Sequence, residues 1–357
     1  MKIDRKKTRC ISVGGVKVGG DARISVQTMT KTDTRDVAAT LGQIREVADI
    51  GCDIARLAVI DQKAAESLLP ICRESPIPLI ADIHFDHKLA LIAIKSGVSG
   101  LRINPGNIGS EQKVAEVVAA AKDRLIPIRI GVNSGSIEKD ILAKYGTPTA
   151  EALVESALHH VLILEKLGYH EIKISVKASD TQKTVDAYRL LSKRTDYPLH
   201  LGVTEAGTFM AGTVRSSVAL GILLAEGIGD TIRISLTDTP MKEVMVGLEL
   251  LRSLGLRERG PSVISCPTCG RIQVDVIDLA GRIDQEMAKY QRVHPGKTLP
   301  VVAVMGCMVN GPGEAKEADI AIAGGAGKFA LYIRGAMVGT VTPEEALSAV
   351  MRAVENF

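Results

Sequence analysis

Cys266-Pro267-Thr268-Cys269-Gly270 sets two thiols at a Cys-x-x-Cys spacing, close enough for one metal centre to be held from a single turn. A third thiol, Cys307, follows after room for a helix and a strand, within Met305-Gly306-Cys307-Met308-Val309-Asn310-Gly311-Pro312-Gly313-Glu314. Three thiolates without a nearby fourth cysteine is an odd count for structural zinc, which closes its tetrahedron with Cys or His. His294 lies between them in sequence and would complete a Cys₃His set, so zinc stays open, as do three chemically idle thiols. An iron–sulfur cluster fits better. Thiolates are its ordinary ligands, and a non-cysteine fourth position leaves one iron open to chemistry.

A second set of residues is cationic. Arg56, Arg102, Arg129 and Arg233 each stand between apolar neighbours, as in Ala55-Arg56-Leu57 and Ile128-Arg129-Ile130. Each belongs to a short β-branched run that reads as a strand, and strand alternation turns the apolar neighbours one way and the arginines the other. Lys177 follows another such run, and Asp82, His84, Asn104, Asn133, Thr204, Glu205 and Ser235 stand at or just beyond the ends of others. Internal pairing with Asp82 or Glu205 serves for any one arginine but not for the set, because cations outnumber the carboxylates at these ends. Buried unpaired cations are costly, and guanidinium forks suit phosphate oxygens, so the set predicts a polyanionic ligand such as a diphosphate.

Positioning these side chains takes a strand–helix alternation repeated eight times. The strands read as Ala22–Thr30, Cys52–Ile60, Pro78–Phe85, Gly100–Asn104, Ile126–Asn133, Glu171–Val176, Pro198–Thr204 and Thr231–Leu236. The helices read as Asp36–Ile50, Gln62–Arg73, His87–Ser96, Glu111–Arg124, Ile137–Leu167 with a break near Gly146–Pro148, Thr181–Lys193, Val214–Gly227 and Met241–Leu254. Eight units in about 250 residues is the arithmetic of an α/β, (β/α)₈ TIM-type barrel, with chemistry at the carboxyl ends of the strands. A doubly wound open sheet is the runner-up, but no G-x-G-x-x-G follows the first strand. Gly14-Gly15 and Gly19-Gly20 bracket an N-terminal hairpin placed to plug the barrel bottom.

The barrel domain is expected over 1–254, a linker over 255–262 and a smaller α+β domain over 263–357. In the last of these a helix is expected over about Val274–Tyr290, a strand over Leu299–Met305, a hairpin of Ile320–Ala323 with Phe329–Arg334, and a closing helix over Pro343–Val354. Across the 357 residues, hydrophobic content is 46% and aromatic content 3%, with no Trp, so the core must be aliphatic. A net charge of +3 makes no case for nucleic acid or a membrane surface, and no long apolar run is present, so a cytoplasmic protein is expected. Cys10, Cys52 and Cys72 have no motif spacing and read as small buried hydrophobes. His84-Phe85-Asp86-His87 has H-x-x-H spacing, but a helix starting at His87 turns that residue away, which leaves His84 as a hydrogen-bond donor to the ligand. His159-His160 reads as solvated or at the core edge. Ala323 to Lys328 reads as a turn rather than a phosphate loop, with Phe329 where a hydroxyl would be needed.

Several stretches resemble the 4-hydroxy-3-methylbut-2-enyl diphosphate synthases, in their bacterial two-domain form. They are Val26-Gln27-Thr28-Met29-Thr30, Ala81-Asp82-Ile83-His84-Phe85, Leu101-Arg102-Ile103-Asn104-Pro105-Gly106-Asn107, Arg129-Ile130-Gly131-Val132-Asn133 and the two cysteine segments. The resemblance runs over essentially the whole chain; Thr28 stands where the family usually has Ser. It implies a [4Fe–4S] cluster held by Cys266, Cys269, Cys307 and the replaceable carboxylate of Glu314. It also implies 2-C-methyl-D-erythritol 2,4-cyclodiphosphate as substrate of a two-electron reductive ring opening, with flavodoxin or ferredoxin as electron donor. On that footing Arg56, Arg102, Arg129, Lys177, Arg233, Ser235 and Thr204 face the cyclic diphosphate, with His84 and Asn133 assisting. Glu205 serves the departing hydroxyl, and Asp82 and Asn104 orient the cations from behind. The linker spans at most ~28 Å and leaves the barrel's bottom or flank. With the resemblance, this predicts a head-to-tail homodimer in which each cluster caps the partner's barrel. A barrel hydrolase with a structural zinc tail and a non-catalytic iron–sulfur sensor are the rival readings.

Overall fold

The computed structural model describes residues 3–257, 262–294, 297–307, 309, 313 and 317–357, with nothing described of the Arg292 side chain. Expectations that fall on Glu314 and on Met308, Asn310–Pro312 and 315–316 lie outside these residues. Two compact units divide the chain, Met1–Arg257 and Glu258–Phe357.

The first unit opens with an antiparallel hairpin, β1 (Ile11–Val13) and β2 (Val16–Val18). The repeats then run β3 (Ser25–Met29), α1 (Val37–Asp49), β4 (Ile54–Ala58), α2 (Gln62–Glu74), β5 (Leu79–Asp82), α3 (His87–Ser96), β6 (Gly100–Ile103), a short α4 (Pro105–Ile108) and α5 (Glu111–Asp123). They continue with β7 (Ile128–Asn133), α6 (Lys139–Tyr145), α7 (Ala150–Lys166), β8 (Ile172–Lys177), α8 (Thr181–Arg194), β9 (His200–Leu201), α9 (Phe209–Ala225), β10 (Thr231–Ile232) and α10 (Pro240–Ser253). Parallel pairing gives the order β8-β7-β6-β5-β4-β3-β10-β9, and the bridge Ile174↔Leu199 brings the two ends together. The result is a TIM-type barrel.

Local chemistry starts the helices where the sequence marks them. Asp36, Asp61, Asp86, Thr149 and Asp180 each accept a backbone N–H of the first turn, satisfying a donor that the helix cannot. The core between strands and helices is aliphatic apart from Tyr169, Tyr188 and Tyr197. Ile11, Val13 and Val18 of the hairpin pack on Ile54 and Ile80, which share the side of their strands with Arg56 and Asp82. The hairpin thus closes the amino end of the barrel.

The second unit is a five-stranded sheet in the order β11 (Ser262–Ser265), β12 (Val301–Met305), β13 (Ile320–Gly325), β14 (Lys328–Ile333), β15 (Ala336–Val341). The first three strands are parallel and the last two antiparallel. Helices α11 (Val276–Val293) and α12 (Pro343–Glu355) cover one face, burying Leu279, Ile283, Met287, Val350 and Val354 on Val302, Val304, Ile322 and Leu331. Thr342 and Glu345 form a reciprocal capping box, with Pro343 in the first turn, so α12 starts where its sequence says.

Several expectations need correction. The barrel's last two strands shrink to two residues each, because Gly202 and the polar residues beyond them leave the ladder early. Helix α9 begins at Phe209 rather than Val214; Phe209 and Met210 are exposed, so the first turn carries no buried periodicity. Ser262 belongs to a strand rather than to the linker. Strand β15 was not expected: Ala336 to Thr340 are exposed, and a strand without a buried face shows no alternation. Cys10 is exposed, whereas Cys52 is buried and Cys72 half-buried.

Candidate active site

Strand register brings the cationic residues together. Arg102 is the cross-strand partner of both Asp82 and Arg129, and Asn133 that of Lys177. Their neighbours Ala55, Leu57, Leu101, Ile103, Ile128, Ile130, Ile232 and Ile234 are all buried in the core against the helices, so the polar side chains point inward. Arg56, Asp82, Arg102, Asn104, Arg129, Lys177 and Ser235 are buried. Arg233, Asn133 and Thr204 are half-buried, and His84 and Glu205 exposed.

Asp82 holds the near side of this set. Its carboxylate lies 3.1 Å from Arg102 Nη1, 3.4 Å from Arg56 Nε and 3.6 Å from His84 Nε2. Burial works against the Asp82 anion, yet Arg56, Arg102 and Arg129 outweigh it and keep its carboxyl below the usual range. Arg102 also donates to Gly131 O at 2.9 Å, and the Gly131 N–H donates to Asn104 Oδ1 at 3.0 Å. Arg233 donates to Ser235 Oγ at 2.6 Å. His87 turns to Asp86 and Glu116, so it does not join His84.

Arg129 and Lys177 are different. Arg129 donates to Ser175 Oγ at 2.5 Å, and among the described residues neither cation has a carboxylate in ion-pair range. Burial, with Arg56 and Arg102 close by, pushes Arg129 well below its ordinary value; burial, with Arg129 and Arg233, does the same to Lys177. Burial pushes Arg56 down to about 10, with Arg233 and Arg102 adding to it against Asp82. Two glycines make the room: a Cβ at Gly131 would fall 2.8 Å from Arg102 Nε, and one at Gly202 would fall 2.5 Å from Lys177 Nζ. The exposed Glu205 has a φ of +51°, a left-handed backbone that only a surrounding structure keeps in place for a non-glycine residue.

Four polar residues of this interior escaped the sequence reading. Glu243, from the first turn of α10, lies 3.5 Å from Arg233 and accepts from Thr28 at 2.8 Å. An acidic first turn looks like ordinary helix capping, so no signal marked it. Ser175, Lys173 and His200 sit lower on their strands, below the carboxyl ends where this fold carries its chemistry. Lys173 is fully buried, and burial with Arg129 and Arg56 pushes it down to about 7, against Asp230. Both ring nitrogens of His200 lack a partner among the described residues.

The thiols lie in the second unit. Cys266 follows β11 and Cys307 follows β12, adjacent parallel strands in which Ser265 pairs with Val304. Cys266, Cys269 and Cys307 thus line one cavity of about 130 Å³, with Thr268, Arg271 and Gly306. Thr268 turns the Cys-x-x-Cys segment with a φ of +59°. The Gly306 N–H donates to Cys266 Sγ at 3.2 Å, the kind of contact that steadies a metal-bound sulfur. Among the described residues, one trio of donor atoms lies mutually within 4.8 Å, Glu138, His159 and His160. Three thiols on one cavity, one of them accepting a backbone N–H, are a donor set that fits an iron–sulfur group.

The family description "GcpE TIM-barrel domain" matches residues 8–248, and "GcpE protein C-terminal domain" matches 262–356. The 4-hydroxy-3-methylbut-2-en-1-yl diphosphate synthase (flavodoxin) of Geobacter sulfurreducens is 59% identical over 353 residues, covering 99% of this chain and 98% of the relative. The protein of that name from Desulfotalea psychrophila is 57% identical over 358 residues, covering 99% and 97%. A truncated 3-deoxy-D-arabino-heptulosonate 7-phosphate synthase from Thermotoga maritima superposes with a TM-score of 0.50 at 12% identity, over 70% of this chain and 91% of that one, and speaks to the barrel fold alone. With both domains matched in order and relatives alike from end to end, the chain belongs to the GcpE family.

Proposed function

We propose that this chain is an oxidoreductase that converts 2-C-methyl-D-erythritol 2,4-cyclodiphosphate to 4-hydroxy-3-methylbut-2-enyl diphosphate, a step of isoprenoid precursor synthesis. The observation that carries the reading is the surplus of buried cations in the barrel. Arg129 and Lys177 have no carboxylate in ion-pair range among the described residues, and a diphosphate is the counter-charge that would make their burial favourable. Full-length relatives named for this synthase support the same reading.

Cys266, Cys269 and Cys307 would hold a [4Fe–4S] cluster, with Glu314 as the proposed fourth ligand. Bound there, a cluster supplies single electrons and a Lewis-acidic iron. Arg56, Arg102, Arg129, Lys177 and Arg233 grip the diphosphate, and Ser235, Thr204, His84 and Asn133 supply hydrogen bonds. Asp82 and Asn104 hold the arginine layer in register. Glu205, on its left-handed turn in the loop after β9, delivers a proton to the hydroxyl that leaves as water. Flavodoxin, as in the relatives' names, is the proposed electron donor, and ferredoxin the alternative. The working state is a cytoplasmic homodimer in which each barrel is completed by the partner's cluster unit. No helix among the described residues is long and apolar enough to cross a membrane. A structural zinc tail is not favoured, since the full-length relatives are named for the synthase.

The test is anaerobic purification followed by visible and electron-paramagnetic spectra with and without the cyclodiphosphate, and then turnover with reduced flavodoxin. A brown protein whose spectrum changes on adding substrate, and which forms the linear diphosphate, is expected. Colourless, zinc-loaded protein without turnover would sink the proposal.

A further inference from the structure

His160 was expected at a solvated or core-edge position, yet it is 1% exposed in the middle of α7. Its Nε2 lies 2.9 Å from Glu138 Oε1, and His159 Nδ1 lies 3.4 Å from the same oxygen. Two imidazoles and a carboxylate so close have the look of a divalent-metal site. Hydrogen-bond direction argues otherwise. The backbone N–H of Gly106 donates to His160 Nδ1 at 3.3 Å. A backbone N–H only donates, so Nδ1 must be the bare nitrogen and Nε2 carries the proton, aimed at Glu138. A metal on Nε2 would require the proton on Nδ1, facing another donor.

The same atoms make a relay between two lips of the barrel mouth. Gly106 is in α4, the loop helix directly after β6, and Glu138 follows the turn Ser134–Ser136 directly after β7. Ser156 Oγ donates to the second oxygen of Glu138 at 2.5 Å. Burial pushes the Glu138 carboxyl up, but the hydrogen bonds from His160 and Ser156 outweigh it and hold it down at about 2. From Gly106 the path continues inward: Asn107 N–H donates to Asn104 O, Asn104 Oδ1 accepts from Gly131 N–H, and Gly131 O accepts from Arg102. The fit at Gly106 is close, since a Cβ there would come 2.7 Å from His160 Cε1.

The geometry points to His160 and Glu138 as positioning residues that clamp the loops after β6 and β7 and so hold Arg102 and Asn104 in their diphosphate-binding places. This rests on the diphosphate reading above. His160 touches no substrate; it acts through Gly106.

Two substitutions separate the halves of the relay. His160→Asn puts an amide oxygen near the Nδ1 position and keeps an acceptor for Gly106. His160→Gln reaches the Nε2 position and loses that acceptor. In cluster-loaded enzyme with the cyclodiphosphate, His160→Gln should raise KM roughly fivefold to tenfold, the worth of one hydrogen bond, with kcat changed less than twofold. His160→Asn, which keeps the Gly106 contact but gives up Glu138, should raise KM by less, roughly twofold to threefold. Equal losses in both variants that track a fall in Tm would reduce His160 to packing, and unchanged KM in both would overturn the clamp. A readout independent of turnover is the ¹⁵N spectrum of histidine-labelled protein, in which His160 Nδ1 should be unprotonated. A protonated Nδ1, or one equivalent of Zn²⁺ bound and lost in Glu138→Gln, would overturn the relay in favour of a metal site. Wild-type protein that fails to bind the cyclodiphosphate would refute the diphosphate reading instead, and leaves the ¹⁵N result to decide the relay.

Discussion

Asp82 Oδ1 stands 3.1 Å from Arg102 Nη1 while the other oxygen of the same carboxylate stands 3.4 Å from Arg56 Nε, so one buried anion serves two buried cations. Asp82→Asn strands both arginines and should cost about 3 kcal/mol of stability in urea unfolding. Saturating diphosphate ligand should stabilise this variant more than it stabilises wild type, because the ligand replaces the missing charge. The pH dependence follows from the depressed carboxyl. Its contribution is complete above the unfolded carboxyl value near 3.9 and is lost as pH falls toward the lower folded value. Wild-type stability should therefore fall below about pH 4, with a shallower fall in Asp82→Asn.

Arg129 and Arg233 look alike in sequence, and the structure separates them. Arg233 lies 3.5 Å from Glu243, whereas Arg129 has Ser175 as its side-chain partner. Arg129→Ala should leave Tm unchanged or slightly raised, because a buried cation without a counter-charge is removed. Arg233→Ala should lower it by a few degrees, roughly 1 kcal/mol, since Lys31 at 3.4 Å still shares Glu243. Ligand affinity should drop at least about tenfold in both, the loss of a charge-assisted contact. Scanning calorimetry beside isothermal titration checks the pair, and an unfolded Arg129→Ala would refute the assignment.

The barrel was legible because its signals are local. An arginine between two aliphatics on a β-branched run says which way it points, and Asp36, Asp61 and Asp180 cap their helices as their positions suggest. The thiols were legible from spacing, although Glu314 falls outside the described residues. What was missed depends on elements that meet only in three dimensions. Glu243 reaches the strand ends from a helix, and Lys173 sits two steps of side-chain alternation below Lys177, level with Arg129. His160 is buried because Glu138, distant in sequence, folds back over it. Strand β15 hides no face, so no pattern marks it.

Lys173 gives a pH signature of the same sign as Asp82 but in a higher window, and as a cost of burial rather than a gain from pairing. Its folded value is about 7, below the ordinary lysine value near 10.4. Between the two the unfolded chain holds the proton and the folded chain does not, so this group makes stability rise with pH from about 7 to about 10. Lys173→Met should flatten that rise and stabilise the ligand-free protein at pH 7 by about 1–4 kcal/mol. Urea midpoints across this range decide it; an identical slope in wild type and variant would assign the rise to other groups.

Glu205 carries two separable properties, a carboxyl group and a φ of +51°. Glu205→Gln keeps the backbone and removes the acid, so kcat should fall about 10²–10⁴-fold with KM little changed. Glu205→Gly relieves the turn and should gain up to about 1 kcal/mol in stability while losing as much activity. Activity retained in Glu205→Gln would remove the carboxyl from the proton step.

The proposed exchange of cluster units between two chains can be tested by complementation. Glu205→Gln disables the barrel site and Cys307→Ser the cluster site, and each homodimer should be inactive. If a barrel works with its partner's cluster, a mixed dimer holds one intact site: the barrel of the Cys307→Ser chain with the cluster of the Glu205→Gln chain. The other pairing joins both lesions in one dead site. Equal random mixing makes half the dimers mixed, so recovered activity should approach about one quarter of wild type. A barrel served by its own cluster leaves both sites of every mixed dimer broken. Mixed dimers verified by two distinct affinity tags, and still inactive, would reject the exchanged arrangement while leaving the reaction itself in place.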